Sequence, residues 1–228
     1  MESFIEISAF VIPLIIAITI HEAAHGFVAD KLGDRTARIM GRVSFDPLKH
    51  VDIFGTLIMP AVLLLSHSPF LFGYAKPVPV NFSNLNKPRR DMFLVAAAGP
   101  GINLILAFLS ALALHMDYFI SQEQAPWTYM NLYNSVSINV VLAVFNMLPV
   151  LPLDGGRMLC AILPRKFAIP YAKSERFGML IIIVVLMLPL LLTQEELPSI
   201  NISYYLIYAP TEFIRDVIFH AAGIGNSP

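Results

Sequence analysis

Long apolar runs separated by short polar intervals dominate the chain. Leu, Ile, Val and Ala fill most of Ser8 to Ala29, Met92 to Leu114, Ser135 to Val150 and Gly178 to Leu192. A bilayer core takes about 20 residues of helix to span, so these runs predict membrane helices rather than the shorter helices of a soluble core. Phe54 to Phe72 is a fifth run, interrupted by Pro60, His67 and Pro69, and predicts a less regular element. Ile200 to Phe219 mixes Tyr and Ile with Pro210, Glu212, Arg215 and Asp216, which suits either an interfacial helix or a short final span. The expected fold is an all-α polytopic membrane protein with about four to five transmembrane helices. We expect one domain over 1–228, its core over 8–165 and C-terminal helices over 177–220.

Composition agrees with this pattern. Of the 228 residues 57% are hydrophobic and 14% charged, and the mean hydropathy of +0.69 lies outside the range of ordinary soluble domains. A net charge of -1 leaves no basic face for phosphates, which excludes a nucleic-acid partner. The single cysteine, Cys160, excludes an intrachain disulfide and a cysteine-built zinc cage, and reads as a small apolar residue. The first apolar run has no basic leader and carries ionisable residues, so it is expected to stay as a membrane helix rather than be cleaved as a signal.

The charges predict a topology. Fourteen of the fifteen Lys and Arg residues fall in Lys31 to Lys49, Lys76 to Arg90 and Arg157 to Arg176, while the other connections carry Glu2 and Glu6, Asp117 and Glu123, and Glu195 and Glu196. Under the positive-inside rule the three basic stretches face the cytoplasm. The N-terminus then lies outside an inner (cell) membrane, provided Phe54 to Phe72 does not cross. That segment is therefore expected to be a re-entrant hairpin, going in as a short helix from about Gly55 to Leu65 and returning extended through Phe70 to Val80. Arg89 and Arg90 are expected to anchor at lipid head groups.

The chemistry concentrates in His21-Glu22-Ala23-Ala24-His25. Two imidazoles four residues apart share one helix face and can chelate one ion. An ionisable group at mid-bilayer costs roughly 3 kcal/mol and is rare there without function. At about 1.5 Å per residue His21 lies roughly 20 Å from Ser8, nearer the cytoplasmic leaflet. Zinc takes tetrahedral N and O ligands, so a third ligand must come from elsewhere, and Glu22 is the candidate general base. Asp154 is the candidate third ligand, because Pro149, Pro152, Gly155 and Gly156 open the backbone around it. Its other reading is an N-cap for the helix that follows.

These motifs, with Gly99-Pro100-x-x-Asn103 and Asn146-x-x-Pro149-x-x-Pro152-x-Asp154-Gly155-Gly156, resemble the site-2 protease family of intramembrane zinc metalloproteases, in its compact form without a PDZ or CBS domain. The resemblance implies that His21, His25 and Asp154 ligate zinc (Zn2+), that Glu22 activates water, and that Asn103 and Asn146 bind substrate or support the site. It also implies that Met40 to Phe45 and Lys76 to Asn81 are membrane-associated β-strands able to pair with an unwound substrate. The substrates implied are single-span membrane proteins or signal-peptide remnants, cut within or near their transmembrane segments. A non-catalytic chaperone would not need all four site residues, and a metal transporter would need a polar path through several helices. His50, His67, His115 and His220 read as interfacial or capping residues.

Overall fold

The computed structural model describes residues 2–58, 75–116, 125–191 and 204–224. All four regular apolar runs are helices: α1 spans Glu2–Lys31, and a single turn, α2, spans Thr36–Ile39. Next come α3 over Pro88–Ala113 and α4 over Ala125–Asn146. Two short helices, α5 over Asp154–Ile162 and α6 over Arg165–Lys173, lead into α7 over Glu175–Leu191 and α8 over Ala209–Ala221. Among the described residues there is no β-strand. Two helical stretches, Ile5–Lys31 and Pro88–Ala113, are long and apolar enough to cross a membrane. Of the expected hairpin, Ile53–Ile58 is a π-helical turn and residues 59–74 lie outside the described residues. The last helix, α8, has 13 residues and extends only about 20 Å.

α1, α3 and α4 pack against one another, α5 lies on α3, and α8 lies on α4. The inward positions are small: Ala9, Ala17, Ala23 and Ala29 on α1, Ala96, Ala107 and Ala111 on α3, and Ala143 on α4 are buried. The large aliphatic side chains point the other way, with Ile7 60%, Ile105 53% and Leu180 60% exposed. In water this arrangement would be inside out. Between lipid-facing helices it is the favourable one, since small residues let backbones approach and large ones meet a solvent as apolar as themselves.

The three basic stretches gather at one end of this bundle. The Asn86 backbone N–H donates to the Leu32 carbonyl at 2.9 Å, joining the first stretch to the second. Arg89 donates to the carbonyls of Ala161, at 3.0 Å, and Leu163, joining the second to the third. Arg89, expected as a lipid anchor, here satisfies carbonyls that the end of α5 leaves without helical partners. Arg90 turns to Asp91, with Nη2 2.8 Å from Oδ1.

Residues 75–81 run extended but form no ladder, contrary to the expected strand, and Met40 to Phe45 forms a turn and bends. The physical reason lies in the donors. Pro77 and Pro79 have no N–H. Lys76 N–H is bound to the His50 carbonyl at 2.9 Å, Val78 N–H to Glu22 Oε2 at 2.8 Å, and Asn81 N–H to Asp34 Oδ2 at 2.6 Å. Asp34, fully buried, also accepts from Thr36 N–H at 3.1 Å and from Asn84 Nδ2 at 3.1 Å.

Burial alone would raise the Asp34 pKa, but hydrogen bonds from Thr36, Asn81 and Asn84 outweigh it and hold the carboxyl below its ordinary value. A depressed folded-state pKa means that this stabilisation is complete above the ordinary carboxylate pKa and is lost as pH falls through the lowered one. Asp34→Ala is expected to destabilise the protein by roughly 3 kcal/mol at neutral pH. The difference from wild type should shrink in acid, as read by denaturation midpoints across pH in detergent.

Candidate metal centre

His21 and His25 lie one turn apart in the second half of α1, which puts both imidazoles on one face. The rings meet edge to face with centroids 4.7 Å apart, and their Nε2 atoms are separated by 3.1 Å. Asp154 Oδ2 stands 3.2 Å from His21 Nε2 and 3.3 Å from His25 Nε2. A side chain 129 positions away in sequence thus closes a triangle of three ligand atoms.

The local sequence explains how Asp154 arrives there. α4 stops at Asn146, and the turn that follows contains Pro149 and Pro152, which cannot continue a helical hydrogen-bond pattern. α5 then folds back onto that turn so closely that a Cβ on Gly155 would strike the Met147 carbonyl, and one on Gly156 would sit 2.5 Å from the Leu151 nitrogen. Only glycine fits there. The start of α5 has no side-chain cap, so the capping role considered for Asp154 is not the one it takes.

Proton positions follow from a chain of hydrogen bonds that ends on a group unable to donate. The Ser135 carbonyl accepts from Asn139 Nδ2 at 2.9 Å, which leaves Asn139 Oδ1 to accept from Asn103 Nδ2 at 2.7 Å. Asn103 Oδ1 must then accept from His21 Nδ1. His25 Nδ1 likewise donates to the Val95 carbonyl, at 2.7 Å. With a proton on each Nδ1, both imidazoles turn Nε2 toward the cluster, where each offers a lone pair to a metal ion. Two Nε2 atoms and a carboxylate oxygen therefore face one another inside the protein. Such an arrangement favours a cation between its members.

The donor set fits zinc. Asp154 Oδ2 is buried and satisfies hydrogen-bond geometry with no neighbour, although two ring nitrogens are close. A tetrahedron with bonds of about 2.0 to 2.1 Å has edges of about 3.3 Å, which matches the three separations. On its remaining side the cluster meets the backbone of α3 at Gly99, where an added Cβ would lie against His25 Nε2 and 2.6 Å from His21 Nε2. Asn103 Oδ1 and the Val95 carbonyl, which accept from the two Nδ1–H groups, are the outer partners that metal-binding histidines ordinarily need.

His21, His25, Asp154 and Asn103 thus come together. Glu22 leaves α1 beside the pair and binds Val78 N–H. Asn146 does not join the cluster through a hydrogen bond: its amide donates to Leu142 in its own helix, at 3.0 Å. Asn139 escaped the sequence reading, although an amide buried within the apolar run Ser135 to Val150 was its available signal.

The profile of Peptidase family M50 matches residues 9–136 and 116–189. The chain belongs to peptidase family M50. Its M50 relatives include YwhC of Bacillus subtilis (strain 168), named as a zinc metalloprotease, which is 39% identical over 184 residues, 79% of this chain and 80% of the relative. Rip2 of Mycolicibacterium smegmatis, also named as a zinc metalloprotease, is 25% identical over 78% of this chain and 66% of its own length. Zinc metalloprotease MJ0392 of Methanocaldococcus jannaschii is 24% identical over 72% of this chain and 37% of its own length. No solved structure gives a significant match. This is the site-2 protease family that the motifs indicated, and the chain is a zinc metalloprotease of it.

Three substitutions test the cluster. Gly99→Ala places a methyl group against both Nε2 atoms and is expected to abolish stoichiometric zinc, whereas Gly101→Ala, whose Cβ meets nothing within 4 Å, should keep it. Asn103→Leu removes the acceptor for His21 and is expected to weaken zinc by about 10- to 100-fold in chelator competition.

Proposed function

We propose that this M50 protease works within the membrane, hydrolysing peptide bonds in or near the transmembrane segments of membrane-anchored proteins. His21, His25 and Asp154 hold zinc, and Glu22 handles the proton. The observation that carries this reading is the convergence of three ligand atoms between helices whose outer faces are large and aliphatic. Zinc, when bound, supplies a Lewis acid and a water of lowered pKa. Glu22 would carry the proton from the attacking water to the departing amine nitrogen, and Val78 N–H fixes one of its carboxylate oxygens. Asn103 and Asn139 keep the His21 proton on Nδ1, so the metal-facing nitrogen stays free.

The proposed setting is an inner membrane spanned by about four to five helices, with the N-terminus outside, the site near the cytoplasmic side, and Phe54 to Phe72 re-entering. The gathering of the basic stretches at one end of the bundle supports this orientation. The proposed substrates are single-span proteins or signal-peptide remnants, and the bilayer is a constant partner. One domain over 1–228 is proposed to carry the activity.

In detergent with a single-span reporter, Glu22→Gln is expected to retain zinc and to lose cleavage by at least about 100-fold. A chelator should stop the wild type. Undiminished cleavage by the variant would end the role assigned to Glu22, and equal cleavage of a soluble unfolded peptide would end the intramembrane reading.

A further inference from the structure

A second pocket lies apart from the metal ligands, with a volume of about 380 Å³ and walls formed by Met40, Gly41, Arg42, Leu48, Lys49, Val51 and Lys76. That volume is within the range of small-ligand sites. Among the described residues three cations line it and no acid does. Asp46 accepts from Leu48 N–H at 3.0 Å and Asp52 from Gly55 N–H at 2.7 Å. Arg42 is only 9% exposed. Its guanidinium donates to two neutral carbonyls, of Lys76 at 2.7 Å and Pro77 at 3.3 Å, and its buried Nε has no partner among the described residues. Arg42 forms no ion pair among the described residues; a buried cation in that state is costly, and an anion in the pocket would supply both the charge and the missing acceptor.

The rim says which anion. Met40 and Leu48 are exposed, and Ile39, Phe45 and Ile53 on the same stretch are exposed too. Apolar side chains flanking a basic pocket, at the end of the bundle where the basic stretches gather, match the boundary between head groups and acyl chains. We propose that Arg42, Lys49 and Lys76 form a binding site for the phosphate of an anionic lipid headgroup. Lys76 lies two residues before Val78, so a headgroup there steadies the segment that holds Glu22. The site does not depend on peptide hydrolysis, and its test reads lipid alone.

The full-length protein in detergent is titrated with phosphatidylglycerol or phosphatidylcholine, and bound lipid is counted by native mass spectrometry. Phosphatidylglycerol is expected to bind and phosphatidylcholine not to. Lys49→Gln combined with Lys76→Gln, which leaves Arg42 in place, should weaken binding roughly 25-fold, at about fivefold per cation. Arg38→Gln removes a cation outside the pocket that pairs with Asp30 at 2.6 Å, and should bind as wild type does. Equal binding of the two lipids, or no loss in the double variant, would overturn the proposal. So would an equal loss in Arg38→Gln, or displacement of the lipid by excess inorganic phosphate, which would make the occupant a soluble anion.

Discussion

Two imidazole Nε2 atoms and a carboxylate oxygen meet at the centre of this protein, and the surrounding structure holds them there. Hydrogen bonds that can be read in only one direction put a proton on each Nδ1 and turn each Nε2 toward the cluster, because the chain of amides ends on the Ser135 carbonyl and the His25 bond ends on the Val95 carbonyl. A cation is the partner that this arrangement favours. An ion bound there would therefore add its binding free energy to the stability of the helices that converge on the site.

The lipid-facing architecture makes such a centre possible. Helices that meet through alanines and glycines come close enough for backbone to form part of a site, as α3 does at Gly99 and α5 does at Gly155. Buried amides would be a liability in an apolar core if left unpaired. Here each finds a partner, Asn103 on Asn139 and His21, and Asn139 on Ser135. The hydrophobic surface that would make a soluble protein aggregate is turned outward, while the cations collect at one end. Polar chemistry sits inside, and aliphatic side chains separate it from the lipid.

Much of this was legible in the residues. The four apolar runs are helices because length and unbroken apolar character leave the backbone no other way to satisfy itself in hydrocarbon. His21, His25 and Asp154 stood out because ionisable groups are conspicuous in apolar surroundings and because Pro149, Pro152, Gly155 and Gly156 mark a forced opening. Tertiary choices were not legible. Nothing in the spacing distinguishes an arginine that meets head groups from Arg89, which closes the end of α5. The extended 75–81 segment looks like a strand by composition, yet its N–H groups are committed to side chains and carbonyls far away in sequence. Asn146 matched a family motif but spends its amide locally.

That same segment explains why the helix motif alone does not make a site. Glu22 is set by its helix to leave α1 next to the imidazoles, but the helix does not fix where its carboxylate ends. Val78, 56 residues on, does so with one backbone N–H. The position of Val78 depends in turn on Arg42 holding the two preceding carbonyls, on His50 holding Lys76, and on Asp34 holding Asn81. Four contacts from separate parts of the chain thus converge on six residues, two of them prolines that cannot drift into a competing ladder. A His-Glu-x-x-His sequence on a solvated helix has no counterpart to this clamp. Here the candidate ligands and Glu22 are placed by separate sets of contacts, Asn103, Val95 and the glycines of α5 for the former and the clamped segment for the latter.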